Sequence, residues 1–157
     1  MKKQLFLFLL TFVLLISCVT SNNGGTMDFS YVAGKEWNLT AVFIDGNDTQ
    51  FKRGTQSNDM TRGFFTLNLQ EGVISGTGAP NRYSGRYTLG DDRSFSTSPL
   101  ISTMMAPLFE PEGLREHTYF FYLQNAFMWR LVNNDTVLEL HSISDDGSSV
   151  ILVYQSN

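Results

Sequence analysis

The sequence predicts an α+β domain, a curved antiparallel sheet or partial barrel of about seven or eight strands packed around one main helix. Three observations predict it. Apolar residues alternate with polar ones along most of the chain, turn signals separate the alternating runs, and only one segment carries a period near 3.6.

The elements follow in order. Trp37, Leu39, Ala41 and Phe43 share one face of a first strand, with Glu36, Asn38 and Thr40 opposite, and "DGND" at Asp45 to Asp48 ends it. A polar excursion, "QFKRGTQSNDMTRG", comes next. Phe65, Leu67 and Leu69 alternate in a second strand, Glu71 and Gly72 supply a turn, and Val73, Ser75 and Thr77 continue in the returning strand. "RYSGRYTLG" gives another strand, "DDR" a turn, and "SFSTSPLIST" one more, with Pro99 placing it at an edge or a bulge. The helix is expected from about Pro111 to Asn125: Pro111 suits a first turn, Glu112 and Glu116 suit the positive end of the dipole, and Leu114, Phe120, Leu123 and Phe127 recur at threes and fours. Three short strands, "FMWRLV", "VLELHSI" and "VILVYQ", close the domain across the turns "NND" and "DDG".

Ahead of the domain lies a different pattern. Lys2 and Lys3 precede an apolar run from Leu5 to Ile16, broken only by Thr11, the form of a secretory signal peptide. The run is well short of the ~20 residues that span a bilayer. "LISC", Leu15 to Cys18, looks like a bacterial lipobox, so cleavage is expected between Ser17 and Cys18, with acyl chains on Cys18. Several chains at about 0.8 kcal/mol per buried CH₂ suffice for stable anchoring. Residues 18–30 then form a flexible tether and residues 31–157 the domain. Val19, in place of the aspartate associated with inner-membrane retention, tilts the expected location toward the outer membrane.

Cys18 is the single cysteine, so once acylated it leaves no thiol for a disulfide, a metal or a nucleophile. The 140 residues that remain of 157 after a 17-residue leader are enough for one core-stabilised domain. Without Lys2 and Lys3, nine of the 11 basic side chains face 15 acidic ones, a formal charge of −6, which argues against nucleic acid. The expected partners are the membrane, through the lipid, and an envelope protein or hydrophobic ligand. A monomer is expected, with no cofactor.

Sites of chemistry are sparse. "GTGAPN" opens like a dinucleotide fingerprint, but its third glycine is missing and no helix follows; its glycines are expected to allow positive φ or a bulge where the sheet curves. His117 and His141 could act as bases, yet no nucleophile elbow accompanies them. Asp91 with Asp92, and Asp145 with Asp146, read as turn formers. Tyr119, Phe120, Phe121 and Tyr122 must wrap around the helix, filling the core or lining a cleft between helix and sheet.

Two stretches, "SGTGAPNRYSGRYTL" (Ser75 to Leu89) and "STMMAPLFEPEGLREHTYFFYL" (Ser102 to Leu123), resemble the motifs of META domain (HslJ-like) proteins. "GKEWNLTAV" and "NNDTVLEL" are similar to the family's first strand and late hairpin. The resemblance marks Gly76, Gly78, Asn81, Tyr83, Gly85, Thr103 and Met105 as motif positions, none of them catalytic. It implies a compact fold of antiparallel strands around a helix, in a family with many envelope lipoproteins, some associated with heat or drug stress. Pro80 and Pro107 stand where the family commonly has two cysteines, so the two prolines are expected to be close neighbours, their Cα atoms within about 10 Å. The expected role is therefore non-enzymatic: binding or support in envelope maintenance or stress. The alternatives are an envelope hydrolase using His117 or His141, and a protease-inhibitor-like protein presenting Phe51 to Arg62.

Overall fold

A computed structural model describes residues 29–52, 63–106 and 111–156. Ten strands and one α-helix follow in the order β1 (Glu36–Ile44), β2 (Asn47–Asp48), β3 (Thr66–Gln70), β4 (Val73–Thr77), β5 (Arg82–Leu89), β6 (Phe95–Thr97), β7 (Ile101–Ser102), α1 (Glu116–Gln124), β8 (Met128–Val132), β9 (Val137–Ile143) and β10 (Ser149–Ser156). All strand pairs are antiparallel, in the spatial order β6-β5-β4-β3-β1-β10-β9-β8, with β2 on β1 and β7 on β5. The two ends of this order nearly meet: the Phe95 amide donates to the Phe127 carbonyl at 2.9 Å, and Ser94 bridges Met128. The sheet thus curls into a nearly closed barrel, leaving few open edges. This is the α+β partial barrel that alternation and turn chemistry predict.

Turn residues set the hairpins. Asp45 and Gly46 have φ of 48° and 78°, and Glu71 and Gly72 have 51° and 76°. Positive φ at both central residues gives the twist that two-residue hairpins require.

The first strand departs from simple alternation. Trp37 and Leu39 are fully buried, but a register shift between Leu39 and Ala41 turns Val42 inward in place of Ala41 and Phe43. One extra residue at a bulge reverses every side chain beyond it. In β4 the inward residue is Ile74, fully buried between the half-buried Val73 and Ser75. "SFSTSPLIST" forms two short strands, β6 and β7, rather than one. Between them Leu100 packs onto Gly85, where an added Cβ would lie 2.8 Å from Leu100 Cδ2, and the Leu100 amide donates to Gln124 Oε1 at 2.9 Å.

The helix is shorter than its sequence pattern. It starts at Glu116, because Gly113 adopts φ +82° and carries the chain over Phe51, whose Cα would lie 3.0 Å from an added Cβ. Pro111 and Glu112 therefore lie outside it, and Phe127 follows it, half-exposed. Within it the consecutive aromatics do wrap the axis: Tyr119 and Tyr122 are buried, and Phe120 and Phe121 pack partly buried against the core. Trp37, Leu39, Phe65, Leu67, Leu69, Leu138, Leu140, Leu152 and Tyr154 fill the barrel around it. Each such large side chain contributes about 1.5–3 kcal/mol through burial. The packed body reaches back to Phe29, whose ring lies 5.0 Å from that of Trp129 and 5.5 Å from that of Tyr87.

Candidate functional site

Gly76, Gly78 and Gly85 are not at positive φ, which corrects the first of the two roles, positive φ or a bulge, expected of them from sequence. They are places where other atoms come too close for a side chain. A Cβ on Gly76 would fall inside contact distance of the Thr66 carbonyl and 2.7 Å from the Tyr83 hydroxyl; on Gly78 it would lie 2.6 Å from Glu116 Oε1 and 2.7 Å from Phe120 Cζ. What approaches the "GTGAPN" loop is the protein's own helix.

Glu116, in the first turn of α1, grips that loop. Its Oε1 accepts from the amides of Ala79 at 2.5 Å and Asn81 at 2.6 Å, and its Oε2 accepts from Asn81 Nδ2 at 2.6 Å. The peptide between them, Ala79-Pro80, is cis. Asn81, 5% exposed, extends the grip to the second motif: its Nδ2 also donates to the Met105 carbonyl (3.0 Å), and its Oδ1 accepts from Thr103 Oγ1 (2.8 Å) and the Met105 amide (2.7 Å). A carboxylate meeting several donors makes bonds about twice as strong as neutral ones, so this clamp ties two distant segments and the helix into one unit.

Below it three buried tyrosines converge. Tyr83 and Tyr119 hydroxyls donate to the Thr66 carbonyl at 2.8 and 3.2 Å, and Tyr154 donates to the Tyr119 oxygen at 3.2 Å. Burial first, and Tyr119 second, push the Tyr83 and Tyr154 phenols well above their ordinary value near 10. Proton transfer near neutral pH is therefore not what this trio is built for; it fastens α1 to β3, β5 and β10.

Among the surface hollows lined by the described residues, two flank these elements. The first, about 450 Å³, opens between α1 and the far end of β1, lined by Val42, Ile44, Thr49, Leu114, Arg115, Thr118 and Tyr122 among others. The second, about 570 Å³, lies outside β4, β5 and β7, lined by Arg82, Arg86 and Ile101 among others.

A family model for the META domain matches residues 30–156, most of the chain. The chain belongs to the META domain family. No curated protein matches it.

In this META domain the motif residues Gly76, Gly78, Asn81, Tyr83, Gly85, Thr103 and Met105 all gather around the clamp or the β5 surface, as structural positions. Pro107, and with it the expected Pro80–Pro107 proximity, lies outside the described residues, as do Ser17, Cys18 and most of the Phe51 to Arg62 loop. Met105, two residues before Pro107, is bonded to Asn81, one residue after Pro80.

The two histidines are far apart in role. His117 is exposed on α1, its Nε2 3.3 Å from the Thr118 hydroxyl. His141 Nε2 sits 3.3 Å from Glu139 Oε2, which also takes a two-nitrogen grip from Arg130 at 2.9 and 2.6 Å. Neither combines a carboxylate and a hydroxyl among the hydrogen bonds of the described residues. Asp91 and Asp92 form a 3-10 turn, and Asp146 accepts from Ser144 Oγ and the Ser148 amide, which hold its carboxyl at about 2. Among the described residues no three or more His, Cys, Asp or Glu side chains are arranged to hold a metal. No helix among them is long and apolar enough to cross a membrane.

Sequence reasoning placed Glu116 only at the helix dipole and missed Thr49, Thr66 and Tyr154. Nothing local marks the other three.

Proposed function

We propose that this META domain is a non-enzymatic binding module of the bacterial cell envelope. The leader is removed after Ser17, Cys18 carries the lipid, and the domain holds an envelope partner or a small amphipathic ligand at the membrane, in envelope maintenance or stress. The observation that carries this reading is the cleft beside α1. Val42, Ile44, Leu114 and Tyr122 give it apolar walls, while Arg115, Thr118 and Thr49 add polar groups, the mixture that fixes a ligand's orientation. The Thr49 hydroxyl oxygen is buried without a hydrogen-bond partner among the described residues, a deficit a ligand can relieve. The mixed lining fits an amphipathic group better than a bare lipid tail.

A catalytic use of the cleft has one observation in its favour, the contact of Thr118 with His117. A hydroxyl and a base need a third group to orient the base, and no carboxylate bonds His117 among the described residues.

A photoreactive phenylalanine analogue at Ile44, in lipidated protein in its native envelope, tests the proposal. The expected result is a discrete adduct that disappears when Thr118→Trp fills the cleft at unchanged melting temperature. Adducts no different from those of the same analogue at Asn134, or insensitive to Thr118→Trp, reject it.

A further inference from the structure

The second hollow has a feature that the fold does not need. Met104 is 98% exposed, Ile101 79% and Met105 54%, which is an unusual concentration of apolar surface on one short stretch. The stretch is not loose. Thr103 and Met105, on either side of Met104, are both bonded to Asn81, and Thr103 exchanges two further bonds with Arg82: its amide donates to the Arg82 carbonyl at 3.0 Å and its hydroxyl accepts from the Arg82 amide at 3.2 Å. Met104 is thus held out from the surface by the residues around it.

On β5, Arg82 and Arg86 stand exposed and line the same hollow as Ile101. Neither has an ion-pair partner among the described residues, although Arg86 shares a neighbouring hollow with Glu71. In a chain with more acidic than basic side chains, two cations without an ion-pair partner among the described residues, on either side of the position that pairs with Ile101, are complementary to one kind of surface: negative charge above an apolar layer.

We infer that this face rests on an anionic bilayer, with Arg82 and Arg86 at the headgroups and Met104 and Ile101 in the interface. The inference rests on the lipid-anchor reading of Cys18, whose tether gives the geometry. Phe29, where the packed body begins, lies with its ring 5.5 Å from that of Tyr87 on the strand that carries both arginines. The eleven residues from Cys18 to Phe29 span at most ~37 Å, so an anchored domain stays within reach of the membrane. A single anchor leaves orientation free; a basic, apolar-tipped face selects one orientation.

The test uses full-length lipidated protein, whose acylated Cys18 leaves Met104→Cys as the free thiol for an environment-sensitive fluorophore. On vesicles containing phosphatidylglycerol, the label at 104 is expected to shift to the blue and to be quenched by nitroxide-labelled lipid. A label at Gln155→Cys on β10, four strands away, is expected to stay in water. Arg82→Gln with Arg86→Gln should lower the membrane-facing population roughly 30-fold, as should raised salt in direction. Both arginines are exposed and unpaired, so the variant keeps its fold, which an unchanged melting temperature verifies.

If the protein fails to sediment with vesicles, the anchor reading and this inference fall together. If it sediments while the label at 104 stays in water, or shifts equally on phosphatidylcholine or in the double variant, the inference alone is overturned. A shift that appears only with an acidic protein present, and not with anionic vesicles, overturns it in favour of a protein partner.

Discussion

The two flanks of α1 meet the barrel in opposite ways. On the side of β4 and β5, Glu116 and the tyrosine trio meet donors and acceptors at hydrogen-bonding distance, and the glycines at 76 and 78 let backbone and helix touch. On the side of β1 and β2 the helix stands off, Gly113 lifts the preceding chain over Phe51, and a cleft remains with the Thr49 hydroxyl unsatisfied. The first motif and its partner Glu116 lie on the sealed flank, whereas the cleft is lined by Val42, Ile44 and Thr49 together with Leu114, Arg115, Thr118 and Tyr122 from the second motif stretch. The first motif specifies closure of the fold, while the second motif stretch contributes both to that closure, through Glu116, and to the wall of the cleft.

The largest effect should come from opening the sealed flank. Glu116→Ala leaves the Ala79 amide, the Asn81 amide and one Asn81 side-chain donor without their carboxylate, at a cost of roughly 3 kcal/mol. Glu116→Gln keeps an acceptor for the two amides but sets its own amide against Asn81 Nδ2, and should cost about half as much. Urea denaturation of the two variants checks the order. Equal and small losses would mean that the clamp is not what holds the helix to the motifs.

That clamp also marks the boundary of what the sequence discloses. Hairpins were legible because their instruction is local: Asp45-Gly46 and Glu71-Gly72 carry the positive φ in their own residue types. The alternation of Phe65, Leu67 and Leu69 was legible because all three reach the core. The bulge after Leu39, the break between β6 and β7 and the late start of α1 were not, since each depends on a partner distant in sequence: β10 for the bulge, Gly85 for Leu100, Phe51 for Gly113. Glu116 meets its acceptor duties 37 and 35 residues upstream, so the sequence could suggest a helix-dipole role but not a clamp. The glycine-rich loop opens like a phosphate fingerprint for the same reason, because close approach to one's own chain and to a phosphate demand the same residue.

A smaller effect should follow from the tyrosine trio, and it depends on pH. The folded Tyr83 and Tyr154 phenols hold their protons well above 10, while the unfolded ones release them near 10. Below pH 10 their contribution is complete; above it the unfolded state loses protons that the folded state keeps, so stability falls as pH rises, by about 1.4 kcal/mol per pH unit for each such phenol. Tyr154→Phe should cost about 1 kcal/mol at neutral pH through the lost bond to Tyr119, and should flatten the alkaline decline by one proton's slope. Melting temperatures from pH 8 to pH 11 separate the two effects. A parallel pair of curves would show that Tyr154 ionises in the unfolded and folded states alike.

The open flank should respond with the opposite sign. Thr49→Val replaces a buried hydroxyl that has no partner with a methyl of nearly the same shape, removing a desolvation cost without creating a void. Stability should rise, by up to about 1 kcal/mol, where every change on the sealed flank lowers it. The same substitution should weaken the Ile44 photoadduct if the bound molecule uses that hydroxyl. Gain of stability with loss of binding is what a site held open for a ligand produces, since its polar group is left unsatisfied until the ligand arrives. A loss of stability instead would mean that the hydroxyl is already satisfied in solution, and the difference between the two flanks would then be one of packing alone.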